Sequence, residues 1–119
     1  METLEEWIIE LKKADKLIIV EGLKDKKALE SFEIKNIIHL NKPIFEIAEE
    51  ISEKYEEVII LTDFDKEGKD LYGKLSKNLV RNGVKIDKKF REWLQKNTKL
   101  SHIEGFASYF EKDLKTSRR

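Results

Sequence analysis

The sequence predicts an α/β fold, in which a sheet of about four mainly parallel strands carries helices on both faces. Two aliphatic runs, Leu17–Val20 and Val58–Leu61, show no polar alternation, which is typical of strands buried on both faces of a parallel sheet. Each run stops at carboxylates followed by a glycine, and a helical apolar repeat comes next. Strand and helix patterns alternate along the chain without a linker, which indicates βαβ units with right-handed crossovers.

Local signals define each element in order. Apolar residues at helical spacing predict helices at about residues 3–14, 24–33, 43–51 and 67–82, a helix from Asp87 that carries Phe90 and Leu94, and a last helix around Phe106–Phe110. Aliphatic runs predict strands at about residues 16–21, 37–40, 58–62 and 84–86. Pro43 suits the first turn of its helix, Asn82–Gly83 is a helix stop signal, and Asp87 suits an N-cap.

Composition limits the domain organisation and the functional classes. The 119 residues predict a single domain over 1–119, with a core at about 16–86, a helical extension at about 87–114 and a basic tail at 115–119. The 24 basic residues balance 24 acidic ones, so any nucleic-acid surface must be local. The absence of cysteine excludes disulfide scaffolds and cysteine zinc sites. No apolar stretch is long enough to cross a bilayer and the N-terminus lacks a signal peptide's apolar core, so we expect a cytoplasmic protein without membrane contact.

Carboxylates follow both aliphatic runs at the point where each predicted strand ends. Glu21 follows the first strand, and Asp63 and Asp65 follow the later one. Because ligands bind at the carboxyl ends of strands in open α/β sheets, we expect these side chains to converge on one small patch. Hard oxygen ligands of this kind suit Mg²⁺ or Mn²⁺, and such a metal commonly brings a phosphate group with it.

A structural explanation exists for each of these acids. Asp-x-Asp occurs by chance in solvated turns of acidic chains, and a glutamate at a strand end can cap the next helix or pair with Lys24. Two carboxylates two residues apart on extended backbone share one side and repel each other unless a cation neutralises them. The aliphatic run before Asp63 and the glycine Gly68 after Asp65 favour the metal site over the solvated turn.

The two motifs together resemble the signature of the Toprim family, the metal-binding domain shared by topoisomerases, primases and several nucleases. That signature is a glutamate and a glycine after one strand and Asp-x-Asp after a later one, here Glu21-Gly22 and Asp63-Phe64-Asp65. The resemblance covers about residues 16–86. It implies a Rossmann-like fold, with Glu21 as a general acid/base that can also contact metal, and Asp63 and Asp65 as the metal ligands.

Two further acids are minor candidates for the site. Asp25 completes a Glu-Gly-x-x-Asp form seen in many Toprim proteins, although it also suits the first turn of the following helix. The chain looks most like the small stand-alone Toprim proteins and like the Toprim nuclease that matures 5S ribosomal RNA. The segment His102-Ile103-Glu104-Gly105 resembles a later part of that branch, which makes Glu104 a candidate, although Glu104 also suits the cap of the last helix.

Residues beside the two motifs are the candidates for phosphate binding. We expect Gly22 to let the backbone turn sharply and approach a ligand, and Gly68 closes the second motif. Lys24 and Lys66 are favoured because lysines at helix N-termini oppose the usual charge preference there, although exposed lysines commonly serve only solvation. The residues that could extend this basic surface are Arg81, Lys85, Lys88, Lys89, Arg91 and the basic tail.

The resulting hypothesis is a nuclease, dependent on Mg²⁺ or Mn²⁺, that acts on structured RNA such as ribosomal RNA, with DNA as a less favoured substrate. The alternative is a non-catalytic module that docks on RNA, on the ribosome or on a protein partner. A third possibility is an inert dimerising scaffold. A homodimer could supply surface that one domain lacks.

Overall fold

Four strands and six α-helices form the part of the chain, residues 1–117, that this computed structural model describes. The strands are β1 (Leu17–Val20), β2 (Ile37–His39), β3 (Glu57–Ile60) and β4 (Lys85–Ile86). The helices are α1 (Leu4–Lys13), α2 (Leu23–Glu30), α3 (Ile44–Ser52), α4 (Lys66–Arg81), α5 (Lys89–Asn97) and α6 (Phe106–Ser117). A 3₁₀ turn, Ile103–Gly105, precedes α6. Every predicted helix and strand is present, with ends that differ by a few residues.

All four strands pair in parallel, in the order β2-β1-β3-β4. Ile18 of β1 lies opposite Ile37 on one side and Ile59 on the other, so β1 joins the two halves of the sheet. The chain leaves β1 toward β2 and then crosses back over β1 to reach β3. This reversal makes the carboxyl ends of β1 and β3 the topological switch point, where ligands bind in open α/β sheets.

Helices cover both faces of the sheet, which confirms the predicted fold class. Ile18 and Ile59 pack with residues of α1, α2, α5 and α6, whereas Ile19 and Ile60 pack with residues of α3 and α4. Every residue of β1 is buried, as the missing polar alternation predicted. On the first face, the ring of Trp7 is fully buried between two aromatic neighbours, Phe90 and Phe106.

Two features of the C-terminal third depart from prediction, although the side chains of Arg81, Lys85, Lys88 and Lys89 are exposed as predicted for a basic surface. Arg91 is buried, with 6% of its surface exposed, so the prediction that placed it on a basic surface is wrong. The predicted basic tail from Lys115 instead continues α6 to Ser117, and Arg118 and Arg119 lie outside the described residues. No helix within residues 1–117 is long and apolar enough to span a bilayer.

The start of α4 lies directly against the backbone that follows β3. Thr62 Oγ1 donates a hydrogen bond to the carbonyl oxygen of Gly68 at 2.8 Å. A Cβ atom on Gly68 would lie 2.1 Å from the carbonyl oxygen of Asp63. Only glycine permits this approach, because the opposing atoms are backbone and cannot withdraw as a flexible side chain can.

Gly68→Ala is therefore expected to lower the free energy of unfolding by about 2–3 kcal/mol through overpacking. Gly73 is the matched control in the same helix, because a Cβ there meets no atom within 4 Å. Gly73→Ala should raise the free energy of unfolding by about 0.5–1 kcal/mol. Urea denaturation of both variants measures the difference, and equal stabilities would contradict the close approach.

Candidate metal centre

The ends of β1 and β3 meet through a side chain. The backbone N–H of Asp63 donates a hydrogen bond to Oε1 of Glu21 at 2.8 Å. Neighbouring strands lie about 4.8 Å apart, so a glutamate at the end of β1 readily reaches the backbone at the end of β3. Glu21 and Asp63 therefore lie together at one edge of the sheet, as predicted.

Asp65 serves as the N-cap of α4. Its backbone is extended, and its Oδ1 accepts a hydrogen bond from the N–H of Gly68 at 2.8 Å. Such a bond satisfies one of the free donors in the first turn of a helix, and a negative charge there is favoured by the helix dipole. One oxygen of Asp65 is thus committed to the fold, while Oδ2 faces the site.

The segment from Ser101 to Ile103 lies alongside Asp63 and Asp65. The N–H of Phe64 donates to the carbonyl of Ser101, and the N–H of Ile103 donates to Oδ1 of Asp63, both at 2.8 Å. His102 Nε2 lies 3.2 Å from Asp65 Oδ2, and its Nδ1 lies 2.9 Å from the hydroxyl oxygen of Ser101. The connection between α5 and α6 therefore closes one side of the site.

Asp63, Asp65 and His102 each place a donor atom within 4.8 Å of the donor atoms of the other two. The sequence did not predict His102 as a metal ligand, although the segment His102–Gly105 made Glu104 a candidate for the site. Two carboxylates and an imidazole fit a divalent transition metal such as Mn²⁺, and the carboxylates alone fit Mg²⁺. Glu21 does not belong to this group of three, so its predicted role as a metal ligand stays a prediction.

The site concentrates negative charge. Burial raises the pKa of Glu21 above its ordinary value, and the charges of Asp63, Asp65 and Asp25 raise it further, against the lowering effect of the N–H of Asp63. Burial also raises the pKa of Asp25. A bound divalent cation would relieve this repulsion, which is the electrostatic reason that the residues present fit a metal.

The remaining acids and glycines beside the motifs hold the local backbone. Oδ2 of Asp25 accepts from the N–H of Gly22 at 3.0 Å, across the first turn of α2. The backbone bends at Glu21 and Gly22 before α2, with Gly22 extended at φ −135°, and a Cβ there would meet nothing closer than 3.7 Å. The predicted approach of Gly22 to a ligand stays a prediction. Glu104 lies in the 3₁₀ turn with an exposed side chain, and its backbone acts to lower the pKa of Asp25, against the raising effect of burial.

A buried arginine lies beneath the site. The guanidinium of Arg91 donates to the carbonyl oxygens of Thr62 and Asp63, the second at 2.9 Å. It also lies 4.5 Å from the ring centroid of Phe64 and 4.7 Å from that of Tyr72. Burial lowers the pKa of Arg91, whereas Tyr72, Glu21 and Asp63 act in the opposite direction. Arg91 therefore fixes the backbone that carries the acidic motif and places positive charge behind it.

The two predicted phosphate-binding lysines occupy the first turns of different helices. Lys24 lies in α2 and Lys66 begins α4, directly after Asp65. Both side chains are exposed. Their placement on either side of the switch point is consistent with the predicted role, which stays a prediction.

The Toprim domain matches residues 16–93 of this chain, which contain Glu21, Asp63, Asp65 and Arg91. The chain therefore belongs to the Toprim family. Toprim domains bind divalent metals and act on nucleic acids. The prediction of a Toprim fold is confirmed, whereas likeness to the 5S ribosomal RNA nuclease in particular stays a prediction.

Several relatives match nearly the whole chain. A UPF0292 protein of Methanocaldococcus jannaschii is 36% identical over 119 residues, which is 96% of this chain and 91% of the relative. A UPF0292 protein of Thermococcus sibiricus is 38% identical over 109 residues, which is 90% of this chain and 85% of the relative. A solved structure of a protein from Aquifex aeolicus has a TM-score of 0.82 and 41% identity, covering 87% of this chain and 98% of that one. Within the Toprim family, the chain is thus similar to the UPF0292 proteins.

Arg91→Met should lower the free energy of unfolding by about 3 kcal/mol, because it leaves the buried carbonyls of Thr62 and Asp63 without a donor. Arg81 is the matched control, since it is an exposed arginine at the end of α4. Arg81→Met should change the stability by less than about 0.5 kcal/mol. Thermal and urea denaturation measure the stability of both variants. Similar losses of stability would show that the hydrogen bonds of Arg91 do not stabilise the fold more than an exposed arginine does.

Isothermal titration with Mn²⁺ should detect binding to the wild-type protein and none to a variant carrying Asp63→Asn and Asp65→Asn. Asparagine can still accept the hydrogen bonds from Ile103 and Gly68, so the fold is preserved while the charge is removed. His102→Gln should weaken Mn²⁺ binding by about 10–100-fold, as expected for a ligand or its supporting partner. Asp70→Asn, an exposed carboxylate of α4, is the control and should bind Mn²⁺ like the wild type. Equal binding by all variants would exclude this metal centre.

Proposed function

We propose that this protein is a nuclease that requires Mg²⁺ or Mn²⁺ and cleaves phosphodiester bonds in structured RNA, such as ribosomal RNA. The observation that carries the proposal is the convergence of Glu21, Asp63 and Asp65 at the topological switch point of a Toprim sheet. Carboxylates in this position suit a cation together with a phosphate group. RNA is favoured over DNA because two segments, Leu61–Asp65 followed by Gly68 and His102–Gly105, resemble the Toprim nuclease of 5S ribosomal RNA.

Asp63 and Asp65 would hold the cation, with His102 as a third donor or as the partner that orients Asp65. When bound, the metal supplies a positive charge that stabilises the phosphodiester oxygens and lowers the pKa of water. The protein preorganises these ligands through bonds that exist before metal or substrate arrives. The N–H of Ile103 orients Asp63, and the N–H of Gly68 orients Asp65.

Glu21 is the residue proposed to move a proton. Its Oε1 is fixed by the N–H of Asp63, which leaves Oε2 to exchange a proton with water or with a leaving oxygen. Burial and the surrounding acids raise the pKa of Glu21, so its carboxyl group takes up a proton more readily than an ordinary glutamate. A general acid/base works best when its pKa approaches the working pH, and contributions of about 10²–10⁴-fold in rate are typical.

Phosphate groups next to the reacting one would contact Lys24 and Lys66, with Gly22 and Gly68 at the adjoining helix starts. Lys24 and Lys66 are exposed and begin the two helices that leave the switch point. A role for Gly68 is indirect, because the closeness of its backbone to Asp63 fixes the start of α4. Asp25 and Glu104 would act on the site through the backbone rather than through metal.

A non-catalytic module that docks on RNA, on a ribosome or on a protein is the second candidate. The exposure of the metal centre favours it, because the side chains of His102 and Asp65 are 51% and 41% exposed. An open site holds a substrate less firmly in register than a cleft does, and exclusion of water normally strengthens the electrostatics of catalysis. A homodimer could provide the missing wall, and a cytoplasmic location suits either function.

The deciding experiment is a cleavage time course on end-labelled structured ribosomal RNA with Mn²⁺ or Mg²⁺. Glu21→Gln should slow cleavage by about 10²–10⁴-fold without weakening RNA binding. The glutamine oxygen can still accept from Asp63, so only the ionisable group is lost. Glu10→Gln, which removes an exposed carboxylate of α1, should cleave like the wild type, and a chelator should stop all cleavage.

Discrete products that persist in Glu21→Gln would remove Glu21 from the chemistry. Salt-dependent binding without products from the wild type would instead establish the docking module, since phosphate contacts weaken as salt rises. A duplex DNA of matched sequence, run beside the RNA, tests the substrate preference.

A further inference from the structure

Charge is distributed unevenly along a chain whose net charge is zero. Residues 66–99 contain eleven basic and four acidic residues, a net charge of +7, whereas residues 1–57 contain nine basic and fifteen acidic residues, a net charge of −6. The positive segment comprises α4, β4 and α5. Because β4 is the outermost strand on its side of the sheet, this charge lies toward one side of the molecule.

The positive segment begins and ends at the candidate metal centre. α4 starts directly after Asp65, which caps it. The chain returns after α5 at Ser101, whose carbonyl accepts the hydrogen bond from Phe64, and at His102, which contacts Asp65. A ligand bound to this segment would therefore reach the metal centre without crossing the negative half of the chain.

The basic side chains of this segment are available to a partner. Ten of the eleven are exposed, and Arg91 is the buried one. Across residues 1–117, the ion pairs involve Lys16, Lys42 and His102, and none of them includes a basic residue of the segment 66–99. Unpaired exposed charges of one sign raise the local concentration of a ligand of the other sign.

α4 carries the largest share of this charge next to the site. It is 16 residues long, or about 24 Å at the α-helical rise, which spans several phosphate groups of a nucleic acid. Its exposed basic residues are Lys66, Lys69, Lys74, Lys77 and Arg81. The neighbouring helix α3 packs against α4 and is acidic, with glutamates at positions 46, 49 and 50 and a fourth, Glu53, directly after it. This acidic flank would repel a polyanion and confine it to α4 and the β4 side.

We propose that α4 is the surface along which the phosphate backbone of structured RNA approaches the metal centre. This inference rests on the proposed function and names the path of its substrate. The acidic centre itself repels RNA, so the attraction must come from a neighbouring surface, and the net charge of +7 adjoins the centre on the β4 side. Lys24, by contrast, lies within the negative part of the sequence.

The test compares two triple variants that remove equal charge. Lys69→Gln, Lys77→Gln and Arg81→Gln neutralise α4, while Lys12→Gln, Lys27→Gln and Lys35→Gln neutralise three exposed lysines of the negative half. The fluorescence anisotropy of a labelled RNA hairpin gives the affinity of each, with Mg²⁺ present, between about 50 and 200 mM salt. Circular dichroism and Mn²⁺ titration establish that the fold and the metal centre of each variant are intact.

The α4 variant should bind the hairpin at least about tenfold more weakly at low salt, and its slope of log affinity against log salt should fall by about two to three, at 0.7–0.9 per lost phosphate contact. The control variant should bind within about twofold of the wild type. Equal weakening by both variants would overturn the inference, because only the bulk charge would then matter. Unchanged binding by the α4 variant would also overturn it and would leave this surface for an acidic protein. If the wild type binds no nucleic acid at any salt concentration, the proposed function fails together with the inference.

Discussion

The parallel pairing of β1 with β3 at the centre of the sheet is the interaction on which the site depends. Leu61 donates its backbone N–H to the carbonyl of Ile19, in the regular pattern of a parallel pair. Two residues later, the N–H of Asp63 donates instead to the carboxylate of Glu21. The chain turns into α2 at this point, so a side chain takes the place of the backbone acceptor. The acidic site is therefore a continuation of the sheet's own hydrogen bonding.

The same edge of the sheet combines two opposite demands on charge. Several carboxylates must lie close enough to share a cation, and each must keep a fixed orientation although its neighbours repel it. Backbone N–H groups from Gly68 and Ile103 satisfy one oxygen each of Asp65 and Asp63, and the guanidinium of Arg91 holds the carbonyls behind them. Hydrogen bonds to the ionised form offset the repulsion, so the aspartates remain ready for metal.

Short-range patterns explain which parts of the site could be predicted. Glu21, Asp63 and Asp65 follow aliphatic strands in the sequence, and the rule for parallel sheets brings their positions together. His102 and Arg91 could not be predicted in this way. His102 is 37 positions from Asp65, and Arg91 is 28 positions from Asp63, so their approach depends on how α5 and its connection to α6 cross the sheet edge. Arg91 resembles any basic residue of a charged helix until the rings of Phe64 and Tyr72 enclose it.

Gly22 and Gly68 show the same limit of prediction from sequence, because one of them has room for a side chain and the other does not. Both glycines follow an acidic residue. Gly22 has an extended backbone that other residues can adopt, and a Cβ there has room, whereas a Cβ on Gly68 would collide with the backbone of Asp63. The difference arises from tertiary packing, because α4 docks against the end of β3 and α2 leaves space at the end of β1. A glycine in a motif therefore does not by itself predict whether a neighbouring atom excludes a side chain at that position.

The separation of charge has a consequence for the motion of the whole molecule. A protein with no net charge gains no overall attraction to a distant polyanion, but a dipole of this kind experiences a torque in the polyanion's field. The molecule would turn its β4 side toward the ligand before contact, so a larger fraction of encounters would occur in the binding orientation. The same dipole lets two copies attract head to tail at low ionic strength, and screening beyond a Debye length of about 8–10 Å would suppress this at physiological salt.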